Sequence, residues 1–303
     1  MDTVKQSNRN CYRGRFAPTP SGPLHFGSII TALGSYLDAK SKKGAWLVRI
    51  DDIDQSRNKL GADKIILEQL EQLGLIWDEP IVYQSQRIDL YKIAFKKLEK
   101  LKCIFSCDCS RKEIKGMIYP GTCRDKIHTL NSNQSIRIKT NNIPISIFDR
   151  LQGYYSQSID SEIGDFIIKR ADGYFAYHLV AAVDDDEQNI THIVRGFDLL
   201  DSTPRQIFLQ KKLKYITPTY LHLPIAIDNK GKKISKVDKI TKFVVSNPRR
   251  SLVNALEFLG QSPPTGIIDS DTKTILDWAI DNWSIELLPN KSKIHYSAYL
   301  KWL

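Results

Sequence analysis

A loop rich in proline and glycine, near the start of the chain, has the residue types of a phosphate-binding site. It covers residues 18–28 and ends in His25-Phe26-Gly27-Ser28, where apolar residues begin to recur at helical spacing. Backbone N–H groups at a helix start bind anions, and Gly27 allows a ligand to approach the backbone closely. His25 adds a side-chain donor that can face a phosphate. The alternative is an exposed histidine at an ordinary helix start, and this segment alone does not decide between the two.

A second segment with residues suited to phosphate binding lies far downstream, at Gly231-Lys232-Lys233-Ile234-Ser235-Lys236. Lys233 and Lys236 bracket a small polar residue, which makes a flexible cationic clamp for phosphate oxygens. Taken alone, the segment is equally typical of a basic surface loop, because lysine-rich surface loops are common. The interpretation as a clamp therefore depends on the first loop. We call this segment the lysine loop.

Three of the five cysteines fall within one short segment, at Cys107, Cys109 and Cys123. Thiolates two positions apart can both reach one tetrahedral Zn²⁺, and Cys123 supplies a third sulfur. Cys103 is a spare candidate ligand, and free thiols without metal are the alternative. Because the cysteines are odd in number and clustered, they favour metal ligands or free thiols in an intracellular protein over a disulfide framework.

Composition and charge favour a globular protein with a polyanionic partner. Hydrophobic residues make up 42% of the 303 residues, which excludes an intrinsically disordered chain. The chain has 44 Lys and Arg against 34 Asp and Glu, a net charge of +10. Clustered cations bind nucleic acids by releasing counterions from phosphates. The acidic run Asp184-Asp185-Asp186-Glu187 contains Mg²⁺ ligand types, but four consecutive acids are more typical of a solvated turn, which we expect here.

The chain shows no sequence signal for a membrane or for export. Its apolar stretches are all much shorter than the roughly 18 residues that a membrane-spanning helix needs. The first ten residues are polar and lack the apolar core of a signal peptide. We therefore expect a cytoplasmic protein without membrane contact.

Alternating strand and helix patterns surround the first loop and must position it. A strand at residues 12–16 precedes the loop, and a second strand at 46–50 ends in the acidic turn Asp51-Asp52-Ile53-Asp54. Helical spacing of apolar residues appears in the segments 29–37, 65–73 and 90–101. Strand and helix in short succession indicate an α/β fold with a doubly wound parallel sheet.

The alternation breaks at Cys103, and the chain divides there into successive regions. Short strands, turns and polar residues after this point predict an inserted subdomain, and strand and helix patterns resume at Asp165. The predicted regions are an N-terminal tail (1–11), the first half of the α/β domain (12–102), a zinc-bearing insertion (103–164), the second half of the α/β domain with the lysine loop (165–246) and a helical C-terminal region (247–303).

The first loop and the lysine loop together resemble the two signature segments of class I aminoacyl-tRNA synthetases, in the branch for glutamate and glutamine. The segments that carry the resemblance are 15–28, 49–54, 194–206 and 233–236. The likeness covers the chain from residue 12 to about residue 242. It implies a Rossmann-like class I catalytic domain with a parallel sheet, a zinc-bearing insertion and a short helical C-terminal region.

Few residues follow Lys236, whereas ordinary glutamyl- and glutaminyl-tRNA synthetases carry a whole anticodon-binding domain there. The chain is therefore most similar to the truncated glutamyl-Q tRNA(Asp) synthetase family, and we expect no anticodon-binding domain. That family activates L-glutamate with ATP and Mg²⁺ in the absence of tRNA. It then attaches the glutamate to the queuosine base in the anticodon stem-loop of tRNA(Asp). The resemblance implies a cytoplasmic ligase with these substrates, and we expect a monomer.

The resemblance also assigns roles to individual residues of this chain. It places catalytic groups at His25, Ser28, Lys233 and Lys236, and ATP-binding groups at His25, Gly27 and Lys236. The implied glutamate-binding residues are Arg15, Phe16, Ala17, Pro18, Thr19, Asp51, Tyr177 and Arg195. The implied ligands of one structural Zn²⁺ per chain are Cys107, Cys109, Tyr119 and Cys123.

The assigned residues match the charges of glutamate, which carries two carboxylates and one ammonium. Guanidinium groups bind carboxylates through paired hydrogen bonds, and an acid binds an ammonium. Relatives that use glutamine have a small uncharged residue at Arg195, so Arg195 favours glutamate; an ion pair with Asp198 or Asp201 is its alternative role. Asp51 stands where the family usually has a glutamic acid, and its shorter side chain leaves open direct contact or a bridging water. Ser28 replaces the second histidine of many class I enzymes, a change that the truncated family tolerates.

Two alternative functions stay open from the sequence. One is a truncated glutamyl-tRNA synthetase that still charges the 3′ end of a tRNA. The other is a non-catalytic tRNA-binding paralogue, against which the intact His25 and Lys236 argue.

Overall fold

The computed structural model describes residues 11–110, 112–114, 118–126, 133–229, 231 and 247–295. Lys233 and Lys236 of the lysine loop lie outside the described residues. The strands are β1 (Arg13–Phe16), β2 (Ala45–Ile50), β3 (Val82–Tyr83), β4 (Ile104–Cys107), β5 (Ser135–Ile138), β6 (Ile145–Asp149), β7 (Gly153–Gln157), β8 (Phe166–Lys169), β9 (His192–Gly196), β10 (Thr219–Leu223), β11 (Ile225–Ile227) and β12 (Lys293–His295). The α-helices are α1 (Phe26–Lys40), α2 (Ala62–Gln72), α3 (Ile88–Lys100), α4 (Ile159–Glu162), α5 (Tyr177–Glu187), α6 (Thr203–Leu213), α7 (Pro248–Phe258) and α8 (Thr272–Asp281).

Parallel strands form the centre of the molecule, and helices alternate with them as the sequence patterns predict. β1 pairs with β2, β2 with β3, and β9 with β10, all in parallel. β9 lies beside β1, where the Thr191 N–H donates to the Arg13 carbonyl at 3.0 Å. Two strands that are far apart in sequence thus become neighbours. In open α/β sheets, the crevice at the carboxyl ends of such strands is where ligands bind.

Helix α1 packs across these strands and is buried over most of its surface. Its buried residues include Ile29, Ile30, Leu33 and Leu37, and they share one hydrophobic core with residues of α7 and α8. Burying an aliphatic side chain of this size stabilises a fold by about 1.5–3 kcal/mol. The packing is close at Gly34, where a Cβ atom would lie 2.6 Å from a methyl group of Leu223 in β10 and would displace that side chain.

The strands after residue 103 form small antiparallel sheets. β4 pairs with β5 and β5 with β8, while β6 and β7 form a hairpin. Their apolar residues join α3, α5 and α6 in a second hydrophobic core. β8 begins after the predicted end of the insertion at residue 164, so one sheet extends across that boundary. The division into domains stays a prediction.

The α-helices of the described C-terminal region are α7 and α8, and turns and a short 3₁₀ helix connect and follow them. The short strand β12 also lies in this region and pairs in parallel with β11. A strand of three residues is too short to leave a periodic pattern, which is why the sequence did not indicate it. No helix in the described ranges combines the length and the apolar character needed to span a bilayer.

Candidate active site

A cavity of about 290 Å³ lies at the carboxyl ends of β1, β2, β9 and β10. Its lining includes every described residue to which the sequence assigned catalysis, ATP or glutamate: Arg15, Phe16, Ala17, Pro18, Thr19, His25, Gly27, Ser28, Asp51, Tyr177 and Arg195. Distant parts of the chain therefore meet at the crevice between β1 and β9. Lys233 and Lys236 lie outside the described residues, so their place at this cavity stays a prediction.

The first turn of helix α1 opens onto the cavity, with His25 as its capping residue. The His25 Nδ1 atom accepts a hydrogen bond from the Ser28 N–H at 3.3 Å. When a neutral imidazole accepts through Nδ1, its proton is on Nε2, which can donate to an oxygen ligand. The N–H groups of the first helical turn and the positive end of the helix dipole lie at the same place. This corner of the cavity suits the phosphates of a nucleotide.

Asp51 reaches the cavity because the end of β2 is tied to the loop after β1. The Asp51 N–H donates to the Pro18 carbonyl at 2.9 Å. Arg49 Nε donates to Asp51 Oδ1 at 2.8 Å. Burial raises the pKa of the Asp51 carboxyl to about 6, although the Arg49 cation opposes this shift. Asp51 is therefore mainly ionised at neutral pH, where it can accept an ammonium, and becomes protonated in mildly acidic solution.

Arg15 is held by a buried network of ion pairs. Its Nε donates to Asp185 Oδ1 at 3.1 Å, and the same oxygen accepts from Arg49 Nη1 at 2.8 Å. The solvated turn predicted for residues 184–187 is wrong: Asp184 and Asp185 are buried in helix α5. The apolar residues before them continue the helix, and its inner side carries both carboxylates toward the arginines.

Asp184 fixes helix α5 to the segment that leads into α3. Its carboxylate accepts hydrogen bonds from Gln84 Nε2 at 2.9 Å, Arg87 Nε at 2.8 Å and the Tyr91 hydroxyl at 2.9 Å. Tyr177 is the first residue of the same helix and lines the cavity. Because Asp184 and Asp185 anchor this helix, they contribute to the position of Tyr177 at the cavity.

Arg195 enters the cavity at the end of β9 and is held by neutral groups. Its Nε donates to His222 Nε2 at 3.0 Å, its Nη1 to Gln206 Oε1 at 2.8 Å and its Nη2 to Thr203 Oγ1 at 2.7 Å. Arg195 is only 3% exposed. A cation surrounded by neutral acceptors keeps its charge for a negatively charged ligand.

The ion pair that the sequence left open for Arg195 is not among its contacts with the described residues. Asp201, one of the two candidate partners, pairs instead with Arg205 at 3.4 Å. His222, which contacts Arg195, is fixed on its other side by Asp149, whose Oδ2 lies 2.6 Å from His222 Nδ1.

The three clustered cysteines meet beside Tyr119. The Sγ atoms of Cys107, Cys109 and Cys123 all lie within 4.8 Å of one another. The Cys109 and Cys123 sulfurs are 3.5 Å apart, and the Tyr119 hydroxyl oxygen is 3.4 Å from the Cys107 sulfur. Sulfurs bound to one tetrahedral Zn²⁺ at ~2.3 Å lie about 3.8 Å from each other, so this spacing fits the ion. Three thiols and a phenol are also the right chemical class of ligands.

The position of Tyr119 depends on Gly164. The Tyr119 N–H donates to the Ile163 carbonyl at 3.1 Å. Gly164 has a φ of 76°, and a Cβ atom there would lie 2.5 Å from the Tyr119 carbonyl oxygen. Only glycine permits this approach without a shift of the backbone. Cys103 lies apart from the cluster, where its thiol donates to the Leu98 carbonyl at 3.2 Å.

Sequence reasoning missed the roles of Arg49, Asp149, Asp185 and His222, all of which are buried. Each interrupts an apolar strand or helix pattern, and a charged residue in such a place needs a buried partner. The sequence does not identify that partner. Arg49 and Asp185 are 136 positions apart, and Asp149 and His222 are 73 apart.

Comparison with known proteins adds an independent finding. The sequence model of "tRNA synthetases class I (E and Q), catalytic domain" matches residues 12–268. A glutamyl-Q tRNA(Asp) synthetase of Dechloromonas aromatica is 43% identical to this chain, over 93% of the chain and 97% of the relative's length. A protein of the same name from Photobacterium profundum is 45% identical, over 93% of the chain and 92% of the relative.

Two crystal structures share the fold. A glutamate tRNA ligase from Elizabethkingia meningosepticum, solved in complex with its amino acid, has a TM-score of 0.76 and 24% identity, covering 95% of this chain and 67% of that one. A glutamate-tRNA synthetase from Elizabethkingia anophelis has a TM-score of 0.75 and 23% identity, covering 95% and 69%. The likeness confirms the predicted class I catalytic fold with its parallel sheet.

Proposed function

The chain belongs to the glutamyl-Q tRNA(Asp) synthetase family, within the class I tRNA synthetases for glutamate and glutamine, and from this premise we propose its reaction. It activates L-glutamate with ATP in the absence of tRNA, and then transfers the glutamyl group to the queuosine base in the anticodon of tRNA(Asp). The observation that carries the proposal is one cavity that contains Arg15, Arg195, Asp51 and the start of helix α1.

The charges around the cavity support glutamate as the amino acid. Arg195 has neutral partners, so its cation is available to a carboxylate of the substrate. Arg15 is a second guanidinium at the same cavity, although Asp185 already compensates its charge. The ionised Asp51 suits the substrate ammonium, by direct contact or through a water molecule. Glutamine lacks the second carboxylate and would leave one guanidinium without an anionic partner.

The first step forms an acid anhydride. An oxygen of the glutamate α-carboxylate attacks the α-phosphorus of ATP, the bond to the β-phosphate oxygen breaks, and pyrophosphate leaves. His25 and the first turn of α1 stabilise the negative charge on the phosphates, with Lys233 and Lys236 as the expected cations of the lysine loop. Mg²⁺ accompanies ATP. The rest of the rate gain comes from positioning the two reactants.

The second step transfers the glutamyl group to the tRNA. A hydroxyl of the queuosine cyclopentene ring attacks the carbonyl carbon of glutamyl-adenylate, an ester bond forms, and AMP leaves. The net charge of +10 supports binding of the stem-loop phosphates. The family assignment supports action in the cytoplasm, where tRNA is modified, and a monomer stays our expectation.

We also infer that Cys107, Cys109, Tyr119 and Cys123 hold one structural Zn²⁺. The support is the grouping of the three sulfurs and the phenol oxygen described above. With four protein ligands the ion has no open position, so it stabilises the fold of this region and takes no part in the transfer. The reactants of the first chemical step are glutamate and ATP, with Mg²⁺ bound to the ATP.

A truncated glutamyl-tRNA synthetase that charges a 3′ end is the second candidate function. The experiment that separates the two uses tRNA(Asp) from cells that make queuosine and from cells that do not, with labelled glutamate. We expect label only on the modified tRNA, and we expect it to persist after removal of the 3′-terminal nucleotide. Equal labelling of both samples, or labelling of tRNA(Glu) at its 3′ end, would favour the second candidate.

A further inference from the structure

We propose that Asp149 and His222 are positioning residues that set the orientation and the available charge of Arg195. This inference rests on the proposed function, because it assigns them a role in binding glutamate through Arg195. The described lining of the cavity includes Arg195 but neither of the other two side chains. Asp149 and His222 therefore act on the substrate only through the arginine.

Hydrogen-bond donors around both oxygens of Asp149 stabilise its ionised form. Its Oδ1 accepts the N–H groups of Leu151 at 3.0 Å, Gln152 at 2.9 Å and His222 at 3.2 Å. Its Oδ2 faces His222 Nδ1 at 2.6 Å. Burial alone raises the pKa of Asp149, but the His222 contact and these N–H groups outweigh burial, and the net pKa is lowered. An anion at this point requires a donor at His222 Nδ1.

His222 is held as a neutral ring with a single available tautomer. Burial lowers the pKa of this imidazole, and the nearby Asp149 carboxylate does not fully offset the shift. Because the ring proton lies on Nδ1, the Nε2 atom carries a lone pair. That lone pair accepts the Arg195 Nε–H at 3.0 Å. The pair of residues thus holds the guanidinium by its Nε edge.

As a consequence, the buried guanidinium of Arg195 has no direct contact with a carboxylate of the described residues. Arg15 offers the contrast, because its Nε and Nη2 donate to the two oxygens of Asp185 at 3.1 and 3.4 Å. In Arg195 a neutral imidazole takes the place of such an acid, and the Asp149 charge lies one ring farther away. The distant charge still stabilises the buried cation, while the substrate carboxylate meets no direct competitor.

Two substitutions at His222 separate its two hydrogen bonds. His222→Gln places an amide oxygen near the Nε2 position, so it retains an acceptor for Arg195 and weakens the contact with Asp149. His222→Asn places an amide N–H near the Nδ1 position, so it retains the Asp149 contact and loses the acceptor. Each variant is assayed by glutamate-dependent ATP–pyrophosphate exchange, with separate KM values for glutamate and ATP.

We expect His222→Asn to raise the KM for glutamate by roughly tenfold or more, the effect of one hydrogen bond to a charged group, with the KM for ATP unchanged. His222→Gln should raise the KM for glutamate less. Asp149→Asn should also raise this KM, because the His222 ring is then no longer held in one tautomer. The control is Asp165→Asn, a buried acid just before β8 that accepts from the Thr140 N–H at 2.7 Å. This control should leave the KM for glutamate unchanged.

An unchanged KM for glutamate in both His222 variants would overturn the proposal. A larger rise of this KM in His222→Gln than in His222→Asn would overturn it as well. A parallel rise of both KM values would indicate a merely structural role and would also overturn it. Three independent variants keep the test valid if one of them fails to fold. Failure of the proposed function is a distinct result, because the wild-type protein would then show no glutamate-dependent exchange.

Discussion

Arg49 Nε lies 2.8 Å from Asp51 Oδ1, and the carboxyl it holds has a pKa that burial raises to about 6. Arg49 is fully buried and also lies 2.8 Å from Asp185 and 3.8 Å from Asp184, so it shares one positive charge among three acids. Arg49 alone therefore does not fully compensate the charge of Asp51. The cavity therefore contains an acid that titrates just below neutral pH.

The titration of Asp51 predicts how glutamate use depends on pH. In the proposed mechanism the carboxylate form of Asp51 accepts the substrate ammonium. We therefore expect kcat/KM for glutamate to be constant above about pH 7 and to fall below about pH 6, by about tenfold per pH unit. The direction follows from the raised pKa, since protonation removes the charge as the pH falls through that value. Exchange rates measured at limiting glutamate between pH 5 and 8 check this expectation.

Asp51→Asn is the matched variant for the pH dependence. It should lower kcat/KM for glutamate at pH 7.5 by roughly 10- to 100-fold, because a charged hydrogen bond is lost. It should also remove most of the decrease below pH 6. A variant that retains the wild-type pH profile would show that another group titrates.

We expect Asp185 to contribute strongly to the free energy of unfolding of the protein. Asp185→Ala removes the carboxylate that pairs with Arg15 and Arg49, both buried. Arg15 would lose its carboxylate partner, while Arg49 would keep its contact with Asp51. Breaking a buried ion pair in this way should lower the free energy of unfolding by about 3 to 5 kcal/mol. Glu187→Ala, from the exposed end of the same acidic run, should change it by less than about 0.5 kcal/mol. Urea unfolding curves of both variants measure the difference, and equal effects would contradict the prediction.

Lys236 is expected to act on the transition state, a prediction that rests on the sequence alone. Lys236→Ala removes a cation that stabilises charge on the departing pyrophosphate, so kcat of exchange should fall on the order of 10²- to 10³-fold. Glutamate binding measured by calorimetry should change little. Lys232→Ala, in the same loop, serves as the control and should retain most of the activity. Similar losses in both variants would indicate a general electrostatic role of the lysine loop.

The cysteine cluster is expected to contain zinc in protein purified without added metal. Cys123→Ser should lose the ion and lower the melting temperature, because metal binding contributes to folding at such sites. Cys103→Ser lies outside the cluster and should retain the metal. Elemental analysis of the three proteins decides the point. A wild-type protein that is folded and active without any metal would contradict the site.

Gly164 provides a second test of the same centre that leaves all four ligands in place. Gly164→Ala introduces a Cβ atom 2.5 Å from the Tyr119 carbonyl oxygen and strains a φ of 76°. The backbone of Tyr119 must therefore shift, and we expect weaker retention of zinc against a chelator. Gly173→Ala is the control, since its φ is 91° but no atom lies within 4 Å of the added Cβ. Equal zinc retention in both variants would show that Tyr119 is not held by this contact.

The sequence by itself determined the parts of the molecule that depend on local rules. The turn before His25 and the clustered cysteines are short segments whose chemistry follows from residue types and spacing. The helices around them follow from apolar periodicity, because local backbone preferences and one buried side are sufficient to form them. The family resemblance added the glutamate-binding assignment of Arg15, Asp51, Tyr177 and Arg195. The structure places all four of these residues at one cavity.

Only the tertiary structure decided which buried charges meet. The acidic run 184–187 has the composition of a solvated turn, yet the register of helix α5 turns Asp184 and Asp185 toward the arginines. The contact between His222 and Asp149 likewise joins strands 73 positions apart. A buried charge is stable only beside its partner, and the partner is set by how the strands and helices pack. The order of residues along the chain does not show which buried charges the packing brings together.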